Sequence, residues 1–219
     1  MTLLEFARGP ALQVAMIIFV LGATWRFFGA LLLPWRLAPA EPRKGALSPI
    51  AAAFKGVVVK MWPHKPFQKA GMFTFVNGYI LHFGLAIVVF LFAPHILFIK
   101  GLTGLSWPAL PNNLVYTVGV VTMASLVAGL VHRLRSPVLR LISRFDDYLS
   151  WLLTLLPVLT GLLAAAHLGA RYETLLAVHI LSICTFLIWF PFGKLMHAFM
   201  FVFSRAMTGV RMGQRGAEL

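Results

Sequence analysis

Long apolar stretches separated by short polar segments dominate the pattern of this chain. Five stretches approach the roughly 20 residues that an α-helix needs to cross a bilayer. We therefore predict an all-α membrane protein, a bundle of five transmembrane helices that forms one domain over residues 1–219. The predicted spans cover about residues 11–33, 71–92, 114–130, 148–166 and 174–192.

The segment between the first two spans, residues 45–70, is partly apolar but too short to cross a membrane. Residues 48–62 read SPIAAAFKGVVVKMW, in which Lys55 and Lys60 interrupt the apolar run. This pattern favours an amphipathic helix on the cytoplasmic surface, with Trp62 at the level of the lipid headgroups. A simple connecting loop is the alternative.

Positive charge is distributed unevenly between the two sides of the predicted bundle. Three basic residues, Arg8, Lys100 and Arg171, fall on the side of the N-terminus. Fifteen fall in the segments after the first, third and fifth spans, namely Arg36, Arg43, Lys44, Lys55, Lys60, Lys65, Lys69, Arg133, Arg135, Arg140, Arg144, Lys194, Arg205, Arg211 and Arg215. Because basic loops stay in the cytoplasm, we expect the N-terminus outside and the C-terminus inside.

Composition supports a membrane protein and excludes several function classes. Of the 219 residues, 60% are hydrophobic and 11% are charged, against about 25% charged in a soluble domain. The net charge of +13 is spread over several loops, so it does not indicate nucleic-acid binding. The one cysteine, Cys184, excludes a disulfide framework and a thiolate metal site. Motifs for nucleotide binding, zinc proteolysis and serine hydrolysis are lacking.

Histidine spacing is the feature that points to chemistry. His64 and His82 are eighteen residues apart, and so are His179 and His197. Eighteen residues are five turns of α-helix, so the members of each pair share one helix face near opposite sides of the bilayer. In antiparallel helices the four imidazoles meet as two couples, an arrangement that suits two haem irons at different depths.

Two pairings of these histidines remain open. The favoured one joins His82 to His179 on the outer side and His64 to His197 on the inner side, because one shift in register aligns both couples. The alternative joins His82 to His197 and His95 to His179. His64 is the weaker of the ligands, since it stands between two prolines where the second helix begins.

Three further histidines, His95, His132 and His167, lie at the predicted ends of spans. A ring with a polar tip is common at a membrane interface and needs no functional explanation there. In the favoured pairing all three are interfacial residues without a role as ligands.

Several motifs resemble the γ subunit of respiratory nitrate reductase, the quinol-oxidising cytochrome b of that complex, and its wider superfamily. The most specific are FPFGKLMHAF (190–199) and the AVHIL run that contains His179. HRLRSPVLRLISRFDDYLS (132–150) is similar to the family's basic loop between spans three and four, and HFG followed by APH matches its second span. The resemblance covers the five spans and nearly the full length.

The resemblance implies a di-haem membrane cytochrome b in a bacterial cytoplasmic (inner) membrane. His179 is then a ligand of the outer haem b with His82 as its partner, and His197 is a ligand of the inner haem b. The family has another histidine ten residues earlier in the second span, where this chain has Met72. The inner partner of His197 therefore rests on spacing, which favours His64, with the Met72 thioether as the alternative.

The resemblance also implies a role for Lys100, just beyond the second span, where the family has a lysine associated with quinol binding. A lysine that reaches towards the headgroups is the alternative. The expected function is that of the membrane-anchor electron-transfer subunit of a quinone-linked oxidoreductase, with a cytoplasmic iron–sulfur subunit as its partner. It has no catalytic nucleophile or acid–base group of its own. A haem-free or single-haem anchor is the alternative function.

Overall fold

The computed structural model describes residues 1–33, 41–59 and 61–216, and within these ranges the chain forms helices and turns but no β-strand. The α-helices are α1 (Leu3–Phe6), α2 (Leu12–Leu32), α3 (Pro49–Val59), α4 (Gln68–Leu91), α5 (Ala93–Thr103), α6 (Asn112–Arg135), α7 (Pro137–Ile142), α8 (Phe145–Ala166), α9 (Tyr172–Trp189) and α10 (His197–Gln214). A π-helical turn, Ala7–Ala11, joins α1 to α2. Short 3-10 turns, Lys65–Phe67 and Lys194–Met196, precede α4 and α10.

Among the described residues, five helical segments are long and apolar enough to cross a membrane, the number expected from the sequence. They are Leu3–Leu32, Lys65–Leu91, Asn112–Arg135, Phe145–Ala166 and Tyr172–Trp189. The sidedness of the bundle stays a prediction. Arg36 and Lys60, two of the basic residues on which that prediction depends, lie outside the described residues.

The surface of the bundle is strongly apolar, while much of its interior is small or polar. The side chains of Leu21, Trp25 and Leu32 on α2 are 66%, 79% and 81% exposed, whereas Ala15 and Thr122 are fully buried. Helices in lipid gain little from burying large apolar side chains, and they associate through close packing and interhelical hydrogen bonds. The distribution therefore fits a protein whose solvent is the hydrocarbon of a bilayer.

Hydrogen bonds between helices fix the relative positions of α4, α6, α8 and α9. The Ser125 hydroxyl on α6 donates to the backbone oxygen of Asn77 on α4 at 3.0 Å, and the Asn77 amide donates to the Ser125 carbonyl at 3.1 Å. The Trp151 indole on α8 donates to a backbone carbonyl of α6 at 3.0 Å, and the Trp189 indole on α9 donates to the Ser150 hydroxyl on α8 at 3.0 Å. These bonds connect α4 to α6, α6 to α8 and α8 to α9.

The second span ends at Leu91, and the chain bends there instead of turning straight back. Phe92 is extended (φ −86°, ψ 126°), and Pro94 lies in the first turn of α5, a position that proline favours. The loop after α5 returns to the same point, because the Leu110 N–H donates to the Leu91 carbonyl at 2.9 Å. This break, rather than the end of a straight helix, sets the direction of α5.

Helix α3 confirms that residues 48–62 contain a helix, and it packs against α10. The two helices approach closely at Gly56 and Gly209, since a Cβ built on Gly56 would lie 2.5 Å from the Gly209 Cα. The Arg43 N–H donates to the Gln214 carbonyl at the end of α10, at 2.9 Å. Helix α10 was not predicted from the sequence. The placement of α3 on the membrane surface stays a prediction.

Glycine packing between α4 and α6 gives a test of the fold. A Cβ on Gly84 would collide with the Thr122 hydroxyl, whereas a Cβ on Gly78 of the same helix would meet nothing within 4 Å. Gly84→Ala should lower stability by about 1–3 kcal/mol through overpacking. Gly78→Ala should be neutral or stabilising because alanine is the better helix former. Thermal unfolding in detergent compares the two variants, and equal midpoints would contradict the close approach of α4 and α6.

Candidate functional site

The structure brings four histidines together as two couples. His95 and His179 form the first, with ring centroids 6.2 Å apart and ring planes 15° from parallel. His82 and His197 form the second, with ring centroids 5.9 Å apart and ring planes at 83°. His82 and His95 stand on either side of the break between α4 and α5. The two couples therefore lie at different heights along the bundle.

The separation of the rings in both couples fits two imidazoles on one iron. A metal–imidazole nitrogen bond is about 2.0 Å long and the ring centre lies about 1.1 Å beyond that nitrogen, so two rings on opposite sides of one iron have centres about 6.3 Å apart. Both measured separations are close to this value. Parallel and crossed ring planes are both compatible with axial ligation, because rotation about the metal–nitrogen bond leaves the nitrogen in place.

Hydrogen bonds hold the other nitrogen of each ring. The Nδ1 atoms of His82, His95 and His197 lie 2.7, 2.8 and 2.8 Å from backbone carbonyl oxygens. The His179 Nδ1 lies 3.2 Å from the Thr160 hydroxyl oxygen, which itself donates to a carbonyl of α8. A carbonyl only accepts, so in the first three rings Nδ1 carries the proton and Nε2 keeps the lone pair that binds metal.

The couple of His95 and His179 lines a cavity of about 690 Å³, and both rings are half-buried. Most of the described lining is aliphatic or aromatic, with contributions from α2, α4, α5, α6, α8 and α9. Its further polar or charged side chains are those of Arg8, Tyr116, His167 and Tyr172. A large apolar cavity with few polar groups is typical of a cofactor site. We call it the outer cavity, after the sidedness expected from the charges.

The second couple is exposed on the surface of the bundle, and its surroundings are more polar. His197 lines a cavity of about 340 Å³ together with Arg26 and Lys194. The Lys194 ammonium lies 2.6 Å from Asp147 Oδ2 and 3.5 Å from Asp146 Oδ1. The hydrogen bond to Asp147 raises the pKa of Lys194 above its usual value, so this lysine is a cation at neutral pH. We call this the inner cavity.

The structure brings together the histidines of the alternative pairing rather than those of the favoured one. His179 faces His95 rather than His82, and the ring that faces His197 is that of His82 rather than that of His64. The equal spacings do not correspond to five continuous helical turns. Helix α9 ends eight residues before His197, and helix α4 begins only after His64.

The remaining candidates from the sequence lie elsewhere. His64 is exposed and directly precedes the 3-10 turn that leads into α4. Met72, the alternative inner ligand, is half-buried in the first part of α4. Lys100 is exposed on α5, five residues after His95, and is not among the described residues that line the outer cavity.

His95 is the ligand candidate that the favoured interpretation missed. It follows His82 by thirteen residues, which places it about 220° away around a straight helix, on a different face. The break at Phe92 changes the direction of the chain and brings His95 over His179. His132 remains a residue at the end of its span, where its ring lies 4.6 Å from that of Phe73. Pro94, in the first turn of α5, was the signal in the sequence that the helix breaks here.

Comparison with known proteins does not show a family. No family model matches the chain, and no solved structure matches it. A curated protein from Nitratidesulfovibrio vulgaris (strain Hildenborough) is 29% identical over 216 residues, which cover 94% of this chain and 91% of that protein. Its name, "Protein", states no activity. The similarity extends over nearly the whole length, and the resemblance to the nitrate reductase γ subunit stays an expectation.

Gly161 on α8 gives a test of the first couple. A Cβ there would lie 2.9 Å from the His179 Cε1, so Gly161→Ala should displace the ring and weaken metalloporphyrin binding by the couple several-fold. A haem titration followed at the Soret band measures this. Gly101→Ala on α5, where a Cβ meets nothing within 4 Å, is the matched control. Equal titrations would show that the His179 ring position does not matter for binding.

Proposed function

We propose that this chain is the membrane-anchor cytochrome b subunit of a respiratory oxidoreductase complex. It would exchange electrons between the quinone pool and a cytoplasmic iron–sulfur partner subunit through two bis-histidine b haems. The observation that carries this proposal is the presence of two imidazole couples, each with the ring separation of two ligands on one iron. Transfer across a bilayer about 30 Å thick needs a carrier towards each side, and the couples lie at two heights.

The residues of both couples fit a haem. His95 and His179 would hold the outer haem, and His82 and His197 the inner one. The bonds at Nδ1 fix the ring orientations and leave Nε2 as the donor atom. The walls of the outer cavity around the first couple are mainly apolar. If two histidines hold each iron, they would leave no open position for oxygen or substrate, so the chemistry that the group would supply is the transfer of single electrons.

The quinone would react on the outer side, beside the couple of His95 and His179. Helix α5 lies there and exposes Lys100. An ammonium is a donor only, so Lys100 would donate a hydrogen bond to a quinone oxygen. Quinol oxidation at this place would release protons to the outside, and the opposite direction of electron flow would use the same residues.

The basic inner side is the proposed docking face for the iron–sulfur partner. It comprises residues 34–70, 132–147 and 194–219, of which 34–40, 60 and 217–219 lie outside the described residues. In the described part, Lys55 on α3 and Arg205 and Arg211 on α10 contribute positive charge. Complementary charge steers an acidic partner into place. Anionic lipids of a bacterial cytoplasmic membrane would be attracted to the same charges.

Haem content tests the proposed function. The purified full-length protein should contain two non-covalent b haems per chain, measured as pyridine haemochrome against protein concentration. A redox titration should resolve two components, and a quinol analogue should reduce both. His82→Ala should remove one component and leave the other, because His82 belongs to one couple only.

The matched control is His132→Ala, whose ring lies against Phe73 and belongs to neither couple. This variant should keep both haems. One haem in the unaltered protein would favour the single-haem anchor instead. A protein without haem would be a scaffold of its complex, and the proposal would be wrong.

A further inference from the structure

Arg8 is a charged residue at the lining of an otherwise apolar cavity. Of the described residues that line the outer cavity, it alone carries a permanent charge. Both imidazoles of the first couple line the same cavity. Arg8 is itself exposed, so the guanidinium lies at the edge of the cavity and can pair with an anionic group that a ligand presents there.

The N-terminal segment places the backbone of Arg8 beside the outer cavity. The Thr2 N–H donates to the Glu5 carboxylate at 2.7 Å, and the Glu5 N–H donates to the Thr2 hydroxyl at 3.2 Å, a reciprocal cap on α1. The following π-helical turn bends at Gly9 (φ −98°, ψ −106°). Ala7 in this turn is fully buried, and the turn packs against α9, the helix of His179.

The chain itself supplies no carboxylate for Arg8 within the described residues. Glu5 is the acid nearest to it in the sequence, and its carboxylate accepts the Thr2 N–H. No ion pair of Arg8 occurs among residues 1–33, 41–59 and 61–216. A ligand with a large apolar body and an anionic group at one edge would match both the apolar lining and this guanidinium. Guanidinium binds a carboxylate through two parallel hydrogen bonds.

We propose that Arg8 binds a propionate carboxylate of the haem held by His95 and His179. This inference rests on the proposed function, and it adds an anchoring residue that neither the histidine spacing nor the resemblance supplied. Arg8 acts on the group without ligating the iron. It orients the macrocycle about the axis between the two imidazoles, which those ligands leave free to rotate.

The test compares Arg8→Gln and Arg8→Lys with the unaltered protein. The control is Arg171→Gln, since Arg171 is also exposed and expected on the outer side, but it is paired with Glu173 at 3.4 Å and is not among the described residues that line the outer cavity. The readouts are the midpoint potential of the outer haem and its rate of transfer to apomyoglobin. The outer haem is identified as the component that His179→Ala removes.

Arg8→Gln should lower the midpoint potential of the outer haem, because a nearby cation favours the reduced form, which carries one positive charge fewer. It should also speed loss of the outer haem by about tenfold or more, the effect of one charge-assisted hydrogen bond. Arg8→Lys should recover part of both effects, since lysine keeps the charge but not the two-fold bond. The midpoint potential and loss rate of the inner haem should stay unchanged in both Arg8 variants. Those of the outer haem should stay unchanged in Arg171→Gln.

Reconstitution with haem dimethyl ester provides a second test that needs no altered fold. In the unaltered protein the ester should leave the outer site about tenfold faster than haem, because the carboxylate charge is gone. In Arg8→Gln the two porphyrins should be lost at similar rates.

A protein that holds two haems, but whose Arg8→Gln variant keeps the potential and the transfer rate of the outer haem, would overturn this inference and leave the proposed function intact. In that case Arg8 faces the lipid headgroups. A protein that binds no haem would overturn the proposed function and this inference together.

Discussion

The hydrogen bonds made by the four imidazole Nδ1 atoms orient the rings and leave Nε2 as the atom that can bind a metal. In two of the four rings the acceptor lies close in the chain: the carbonyl of Gly78 serves His82 and that of Lys194 serves His197. The acceptor for His95 is the Val88 carbonyl, one of the last four of α4, which have no partner within their own helix. The break after α4 thus supplies both the direction and the acceptor that orient this ring.

The two cavities differ in a way that matches two different roles. The outer cavity is large and mainly apolar, with half-buried ligand candidates and one permanent charge among the described residues of its lining. The inner cavity is smaller, and the salt bridges of Lys194 to Asp146 and Asp147 lie beside it. The first suits the apolar macrocycle that we propose for it. The second lies next to the basic face, where the proposal places electron exchange with a water-soluble partner.

The bilayer explains which parts of this fold were predictable. Lipid demands long apolar helices with internally satisfied backbones, so the five spans and the helix within residues 48–62 were accessible from apolar stretches alone. Helix α10 was missed because its apolar run carries basic residues and follows the predicted end of the last span. That His82, His179 and His197 belong to the couples could be predicted from their positions in or beside the spans.

Which histidine pairs with which could not be predicted from the sequence, because the pairing depends on where the helices end. Periodicity treats a span as a straight rod, and that assumption linked His82 to His64 and hid His95. The real chain leaves the helix before His197 and bends before His95. Each departure from a straight helix involves only a few residues around a proline. Together they bring His95 to His179 and His82 to His197, instead of the pairs that straight helices predict.

The most direct measurement compares the haem content of His95→Ala with that of His64→Ala, both purified as the full-length protein. His95 faces His179, whereas the ring opposite His197 belongs to His82. The account predicts that His95→Ala retains one haem per chain and that His64→Ala retains two. Retention of both haems by His95→Ala, with loss of one by His64→Ala, would contradict it.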